Sequence, residues 1–171
     1  NYSLQANNGF TIIELLLYVS VASIMLLITS LFLSTLLQSR IKNQTIAEVE
    51  QQGLQVMQII TQTARNAEVI TSPAIGASAS SLTLDVITVA NDPTIFDLSS
   101  GAIRVKEGTG AAVALTNSRI TASNLNFQNL SRAGTPGIIR ISFTLTHINP
   151  DGRNEYSFVK IFYASASLRQ P

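Results

Sequence analysis

The hydrophobic and polar positions of this chain divide it into three stretches. An apolar run extends from Phe10 to Leu37 and contains one charged residue, Glu14. From residue 38 to Ala67, apolar residues recur at steps of three and four, which predicts an amphipathic helix. Beyond Pro73, short runs alternate between apolar and polar residues, as β-strands with one buried face do. No proline precedes Pro73, so the first two stretches can form one continuous helix.

The first stretch is predicted to cross a bilayer. Fourteen of the residues from Leu15 to Leu37 are Leu, Ile, Val or Phe. Each favours insertion by roughly 0.3 to 0.6 kcal/mol, or about 4 to 8 kcal/mol together. A carboxylate at mid-bilayer costs about 2.5 to 3.5 kcal/mol. Insertion is therefore expected in spite of Glu14, and an acid kept in such a span is expected to have a cationic partner.

A cleavable secretory signal is the alternative interpretation of this run. Such signals have an apolar core of about 7–15 residues, with the cleavage site after it. The run from Phe10 to Leu37 is roughly twice that length. A retained membrane helix is therefore favoured.

The second stretch is predicted to leave the membrane at Gln38 and to bury one stripe of its surface. The stripe consists of Ile46, Val49, Gly53, Val56, Met57, Ile60, Ala64 and Ala67. A helix with such a stripe is expected to cover a sheet. Gly53 costs the helix about 1 kcal/mol relative to alanine. It either allows a close approach of the sheet or is simply tolerated, and toleration is the preferred interpretation.

The third stretch is predicted to form an antiparallel sheet of four to seven strands. The alternating runs are residues 82–86, 103–106, 125–127, 139–146 and 156–164. The last run is apolar on both faces except at Lys160, which predicts a strand that is central or covered by the helix. The expected fold class is α+β, with a long N-terminal helix packed on a β-sheet domain. Its expected parts are 10–37 (membrane half of the helix), 38–70 (amphipathic half) and 71–171 (β-rich domain).

Composition excludes few classes of protein. Charged residues make up 12% of the chain and hydrophobic residues 46%, and the low charge reflects the apolar N-terminus. With a net charge of +1, the overall charge does not point to nucleic acid or to an acidic partner. The chain has no cysteine, which excludes disulfides and thiolate metal sites.

The stretch Gly9-Phe10-Thr11-Ile12-Ile13-Glu14-Leu15-Leu16 resembles the processing site of type IV pilins and type II secretion pseudopilins. The β-rich part is similar in layout to minor pilins and J-type pseudopilins. The resemblance implies that residues 1–9 are a leader, that a prepilin peptidase cuts between Gly9 and Phe10, and that Phe10 is then N-methylated. It also implies that Glu14 pairs with the terminal amine of a neighbouring subunit during filament assembly.

The resemblance further implies partners and a location. The partners would be other pilin or pseudopilin subunits, the peptidase, an inner-membrane assembly platform and the lipid bilayer. The protein would reside in the bacterial inner membrane with its C-terminal domain outside, and then in a pilus or pseudopilus. The positive-inside rule points the other way, because Arg40 and Lys42 follow the span and nothing basic precedes it. We follow the family, since a chain that begins with Asn1 suggests a shortened leader.

Enzymatic, metal and phosphate sites are not predicted. His147 is the one histidine, and a surface or turn position is preferred for it over catalysis. Asn149, Asp151, Asn154 and Glu155 cluster oxygens, but they match no calcium-loop spacing, so a plain turn is preferred. Gly108-Thr109-Gly110 lacks the features of a phosphate loop and is interpreted as a hairpin turn. No enzyme and no cofactor are therefore predicted.

DNA binding is not predicted either. From Pro73 onward there are eight Lys or Arg and six Asp or Glu, which is too small an excess for a phosphate-binding face. Whether Arg104, Lys106, Arg119, Arg132 and Arg140 cluster in space stays open. The main hypothesis is a structural subunit of a type IV pilus, or of a secretion or competence filament. The alternative is a membrane-anchored binding module that forms no filament.

Overall fold

The computed structural model describes residues 11–169, and the chain divides into two compact units between Arg40 and Ile41. The first unit contains the apolar part of the helix. The second contains the rest of the helix and all of the strands. The fold class predicted from the sequence, a long N-terminal helix and an antiparallel β-domain, is confirmed.

Helix α1 extends from Ile12 to Asn66, a span of 55 residues. It ends before residue 70, the predicted boundary, because residues Ala67–Ser72 form strand β1. Strand β1 contains the β-branched residues Val69, Ile70 and Thr71, which favour extended backbone. Ser72 precedes a proline, and this position also disfavours helix.

The predicted apolar stripe is the buried face of the helix in the second unit. Its buried residues are Thr45, Val49, Gly53, Val56, Met57, Ile60 and Ala64. Ala67 is also buried, although it begins β1 rather than ending the helix. The helix therefore covers the β-domain through residues at the predicted spacing of three and four.

The strands form two antiparallel sheets rather than the single sheet predicted. The strands after β1 are β2 (Ser78–Ala79), β3 (Leu82–Val86), β4 (Thr94–Ser99), β5 (Ala102–Glu107), β6 (Val113–Ala114), β7 (Ile120–Asn129), β8 (Ile138–His147) and β9 (Val159–Ser167). One sheet has the order β1-β3-β4-β5-β6, and the other has the order β2-β7-β8-β9. Gly108-Thr109-Gly110 lies in the turn between β5 and β6, which confirms the predicted hairpin.

Strand β9 is an edge strand, so the prediction that it is central is wrong. The alternative, that it is covered by the helix, holds for one face: Phe162 is 7% exposed, whereas Val159, Ile161 and Tyr163 on the other face are each more than half exposed. A side-chain carbon built at Gly53 would overlap the ring of Phe162. Gly53 therefore permits a close approach, and the interpretation that it is merely tolerated is wrong.

The core of the second unit joins the helix to both sheets. Phe96 and Leu82 enter it from the five-stranded sheet, and Phe127 and Phe143 enter it from the four-stranded sheet. Phe143 stacks on Phe162 with ring centroids 5.4 Å apart. These aromatic side chains fill the space beneath the helix.

Candidate functional site

The start of helix α1 holds the sequence-predicted assembly residue. Thr11 precedes the helix, and its backbone oxygen accepts bonds from the N–H groups of Glu14 and Leu15, both at 3.1 Å. The Thr11 hydroxyl also accepts from the Glu14 N–H at 3.4 Å. Thr11-Ile12-Ile13-Glu14 has the pattern of a capping box, in which a hydroxyl at the N-cap precedes an acid at the third helical position. The N-cap at Thr11 was not predicted from the sequence, although the Thr-x-x-Glu pattern could have indicated it.

Glu14 also lies where the helix dipole is positive. A carboxylate in the first turn gains about 0.3–1 kcal/mol from this dipole. The Glu14 side chain is exposed, and it is the sole charge between residues 11 and 39. Gly9 and Phe10, the predicted cleavage positions, lie outside the described residues.

The helix beyond Glu14 exposes an apolar surface. Its most apolar 18-residue window has a mean hydropathy of 2.3, and none of that window is buried, so the helix is long and apolar enough to cross a membrane. The hydroxyls in this region bond within the helix: Ser23 donates to the Val19 carbonyl at 2.8 Å, and Thr35 donates to the Leu31 carbonyl at 3.0 Å. Such bonds satisfy hydroxyl groups that would otherwise be costly in a bilayer.

A polar cluster joins the helix to the β-domain near Ile41. Oε1 of Glu48 accepts from the Asn117 amide at 2.8 Å and forms an ion pair with Nε of Arg119 at 3.0 Å. Oε2 of Glu48 lies 3.8 Å from Nε2 of His147. His147 is buried rather than on the surface, which corrects the sequence interpretation, and its ring stacks on Tyr156. Its Nδ1 has no hydrogen-bond partner among residues 11–169.

No pattern in the sequence indicates this cluster. The partners of Glu48 lie 69 or more residues further along the chain, in the loop before β7 and at the end of β8. A cavity of about 350 Å³ lies beside it and is lined by Ile41, Gln44, Thr45, Glu48, Arg119, His147 and Tyr156. Paired in this way, Glu48 fixes the helix on the ends of two strands.

The oxygen-rich loop after β8 is held by its own side chains. The Asn149 amide donates to the Arg153 carbonyl at 2.8 Å, and the Arg153 N–H donates to Oδ1 of Asn149 at 2.9 Å. Lys42 donates to the backbone oxygens of Asn154 and Ser157. The Glu155 carboxylate accepts a backbone hydrogen bond and pairs with Arg153, and both lower the pKa of Glu155. This loop is the turn that the sequence predicts, and the side-chain oxygens of Asn149 and Glu155 are bound within it.

The five basic residues are divided between the two sheets: Arg104 and Lys106 lie on β5, whereas Arg119, Arg132 and Arg140 lie on or beside β7 and β8. Arg104 pairs with Asp97 on the five-stranded sheet, and this hydrogen bond raises the pKa of the Arg104 guanidinium above its usual value. Arg119 pairs with Glu48, and Arg140 lies on β8 of the other sheet. Within residues 11–169, no group of three or more His, Cys, Asp or Glu is placed to hold a metal ion.

Comparisons with protein-family models, curated proteins and solved structures find no match to this chain. The functional argument therefore depends on the described residues themselves. Two features bear on it: the acid at the start of the exposed apolar part of α1, and the packing of residues 41–66 on the two sheets of the second unit.

Proposed function

We propose that this protein is a structural subunit of a type IV pilus or of a related secretion or competence filament, as a minor pilin or pseudopilin. It is held in the bacterial inner membrane by the apolar part of helix α1, with the β-domain outside. A prepilin peptidase cuts between Gly9 and Phe10, and Phe10 is methylated at its new terminus. The helix then assembles with those of other subunits.

The observation that carries this proposal is the placement of Glu14. It is the sole charge in residues 11–39, it lies in the first turn of the helix, and apolar exposed residues follow it for more than five turns. A filament that buries these surfaces against each other also buries the carboxylate. The terminal amine of an adjacent subunit is a cation that would lie in the same layer.

The magnitudes favour pairing over capping as the main role of the carboxylate. Two unit charges about 4 Å apart attract by roughly 4 kcal/mol at an effective dielectric constant of about 20. The helix dipole contributes about 0.3–1 kcal/mol to the same carboxylate. Pairing also fixes the axial register, because one stagger brings the amine and the carboxylate together.

The first experiment is mass spectrometry of the mature protein from cells with a prepilin peptidase. The proposal expects a chain that begins at N-methylated Phe10, and expects Gly9→Leu to leave an uncut precursor. A mature protein that retains residues 1–9 would refute the proposal and would favour the membrane-anchored binding module.

The second experiment separates pairing from capping. Glu14→Gln removes the charge but keeps a capping-box side chain, whereas Thr11→Ala removes the N-cap hydroxyl and keeps the charge. We expect Glu14→Gln to abolish incorporation into filaments and Thr11→Ala to leave most of it, as measured by immunoblotting of sheared filaments. Equal incorporation of Glu14→Gln and wild type would contradict the pairing role.

A further inference from the structure

The outer face of the four-stranded sheet places polar side chains in cross-strand rows. Phe127, Ile141 and Phe162 point into the core, so the residues that alternate with them point away from it. Directly opposite residues of an antiparallel pair share a face. Two adjacent outward rows run across β7, β8 and β9, and they consist of Asn126, Ser142 and Tyr163, and of Gln128, Arg140 and Ser165.

These six side chains have no partner within the described protein. None makes a side-chain hydrogen bond, an ion pair or a ring contact with residues 11–169. Asn126 and Arg140 are exposed, and the Tyr163 ring is 70% exposed. The rows therefore offer amide, hydroxyl and guanidinium groups, with one aromatic ring at the end.

The corresponding face of the other sheet differs in its charge. Asp97 and Arg104 face each other there as an ion pair, and Asp85 and Lys106 lie on the same side. On the four-stranded sheet, Arg140 is the sole charge on the outward positions of the rows from Thr121 to Gln128. One domain thus has a charged sheet face and a nearly neutral sheet face that is rich in hydrogen-bonding groups.

We propose that this neutral face binds an extended, uncharged polysaccharide. A sugar ring has an apolar face, which fits the exposed Tyr163 ring, and a rim of hydroxyls, which fits amide and hydroxyl side chains. Strands lie about 4.8 Å apart and outward residues about 6.7 Å apart along a strand, so the two rows cover about 10 by 7 Å, the size of one or two sugar rings. A nucleic acid would require several cationic contacts instead of one.

The neighbouring rows extend the face for a longer chain. Ser123 lies opposite Thr144, and Thr144 lies opposite Ile161. This row therefore has hydroxyl side chains on β7 and β8 and an apolar side chain on β9. The binding surface is the sheet itself and does not depend on filament formation. Its test therefore succeeds or fails independently of the pilin proposal.

The test uses the full chain in a detergent without sugar groups, sedimented with microcrystalline cellulose and with chitin powder. We expect the wild type to bind at least one of them, and Tyr163→Ala and Asn126→Ala each to weaken that binding by about tenfold. Val69→Ala is the matched control, because Val69 is an exposed apolar residue of the other sheet. Circular dichroism verifies that each variant is folded.

Salt distinguishes a neutral partner from an anionic one. Binding to the two polysaccharides should not change between about 50 and 200 mM salt, the range over which phosphate-dependent binding falls steeply. The proposal is overturned by a wild type that sediments with neither polymer, by binding that salt abolishes, or by folded Tyr163 and Asn126 variants that bind as the wild type does.

Discussion

Replacing Gly53 by alanine changes the stability of the folded protein in two opposite ways. Alanine in a helix interior is favoured over glycine by about 1 kcal/mol. The added methyl group, however, overlaps the far end of the Phe162 ring. That ring is buried and stacks on Phe143, so it has little freedom to withdraw.

Overpacking of a filled core costs about 1–3 kcal/mol, and this overlap belongs at the upper end of that range. We therefore expect Gly53→Ala to lower the free energy of unfolding by a net 1–2 kcal/mol or so. The measurement is a urea titration of the full chain in detergent micelles, followed by near-ultraviolet circular dichroism. Leu54→Ala, one residue along on the exposed face, is the control and should change stability by less than about 0.5 kcal/mol.

The Phe162→Leu variant tests whether the overlap with the Phe162 ring causes this loss of stability. Phe162→Leu removes the ring carbons that the new methyl group would overlap. In that background Gly53→Ala should be neutral or stabilising by about 1 kcal/mol, which gives a coupling free energy of about 2 kcal/mol between the two sites. The reasoning is refuted if Gly53→Ala stabilises the wild-type protein, or if its effect is the same in both backgrounds.

Four further substitutions test the polar contacts of the β-domain by the same urea titration. Glu48→Ala should lower the free energy of unfolding by about 1 kcal/mol, because Glu48 has several partners. Glu50→Ala removes one exposed ion pair and should lower it by less than about 0.5 kcal/mol. Equal losses in the two variants would contradict the role of Glu48 in holding the helix on the β-domain. Asn129→Ala should lower the free energy of unfolding by about 2–4 kcal/mol, because removal of the buried Asn129 amide leaves the Pro73 carbonyl unpaired. A change of less than about 0.5 kcal/mol would refute this. The pKa of Glu155 is lowered in the folded protein, so its stabilisation is present above the ordinary glutamate pKa of about 4.3 and is lost as the pH falls below it. Glu155→Gln should lose less stability on acidification than the wild type, and parallel pH profiles would contradict this.

The helix and its buried stripe could be predicted because they follow from local periodicity. Apolar residues three and four positions apart must share a face, whatever packs against it. The end of the helix was harder to place, since Ala67 continues the stripe in spacing although Val69 and Ile70 pair with β3. The competition between helix and strand at that point is decided by pairing with residues that lie further along the chain.

The roles of Gly53 and Glu48 could not be predicted for a related reason. Each depends on side chains that lie far along the chain: Phe162 for Gly53, and Asn117, Arg119 and His147 for Glu48. Periodicity assigns a residue to a face but does not identify its neighbour there. The division into two sheets was missed because alternation indicates strands and not their partners.

The passage from Asn66 to Ala67 takes the chain from helix to strand with no connecting residue. The N–H of Arg169, just after β9, donates to the Arg65 carbonyl at 3.0 Å, so the other sheet is tied to the same point. No flexible linker therefore separates the end of the helix from the first strand. Torque applied to residues 41–66 is therefore transmitted to β1 and β9 together, and the β-domain is expected to rotate as one piece with residues 41–66.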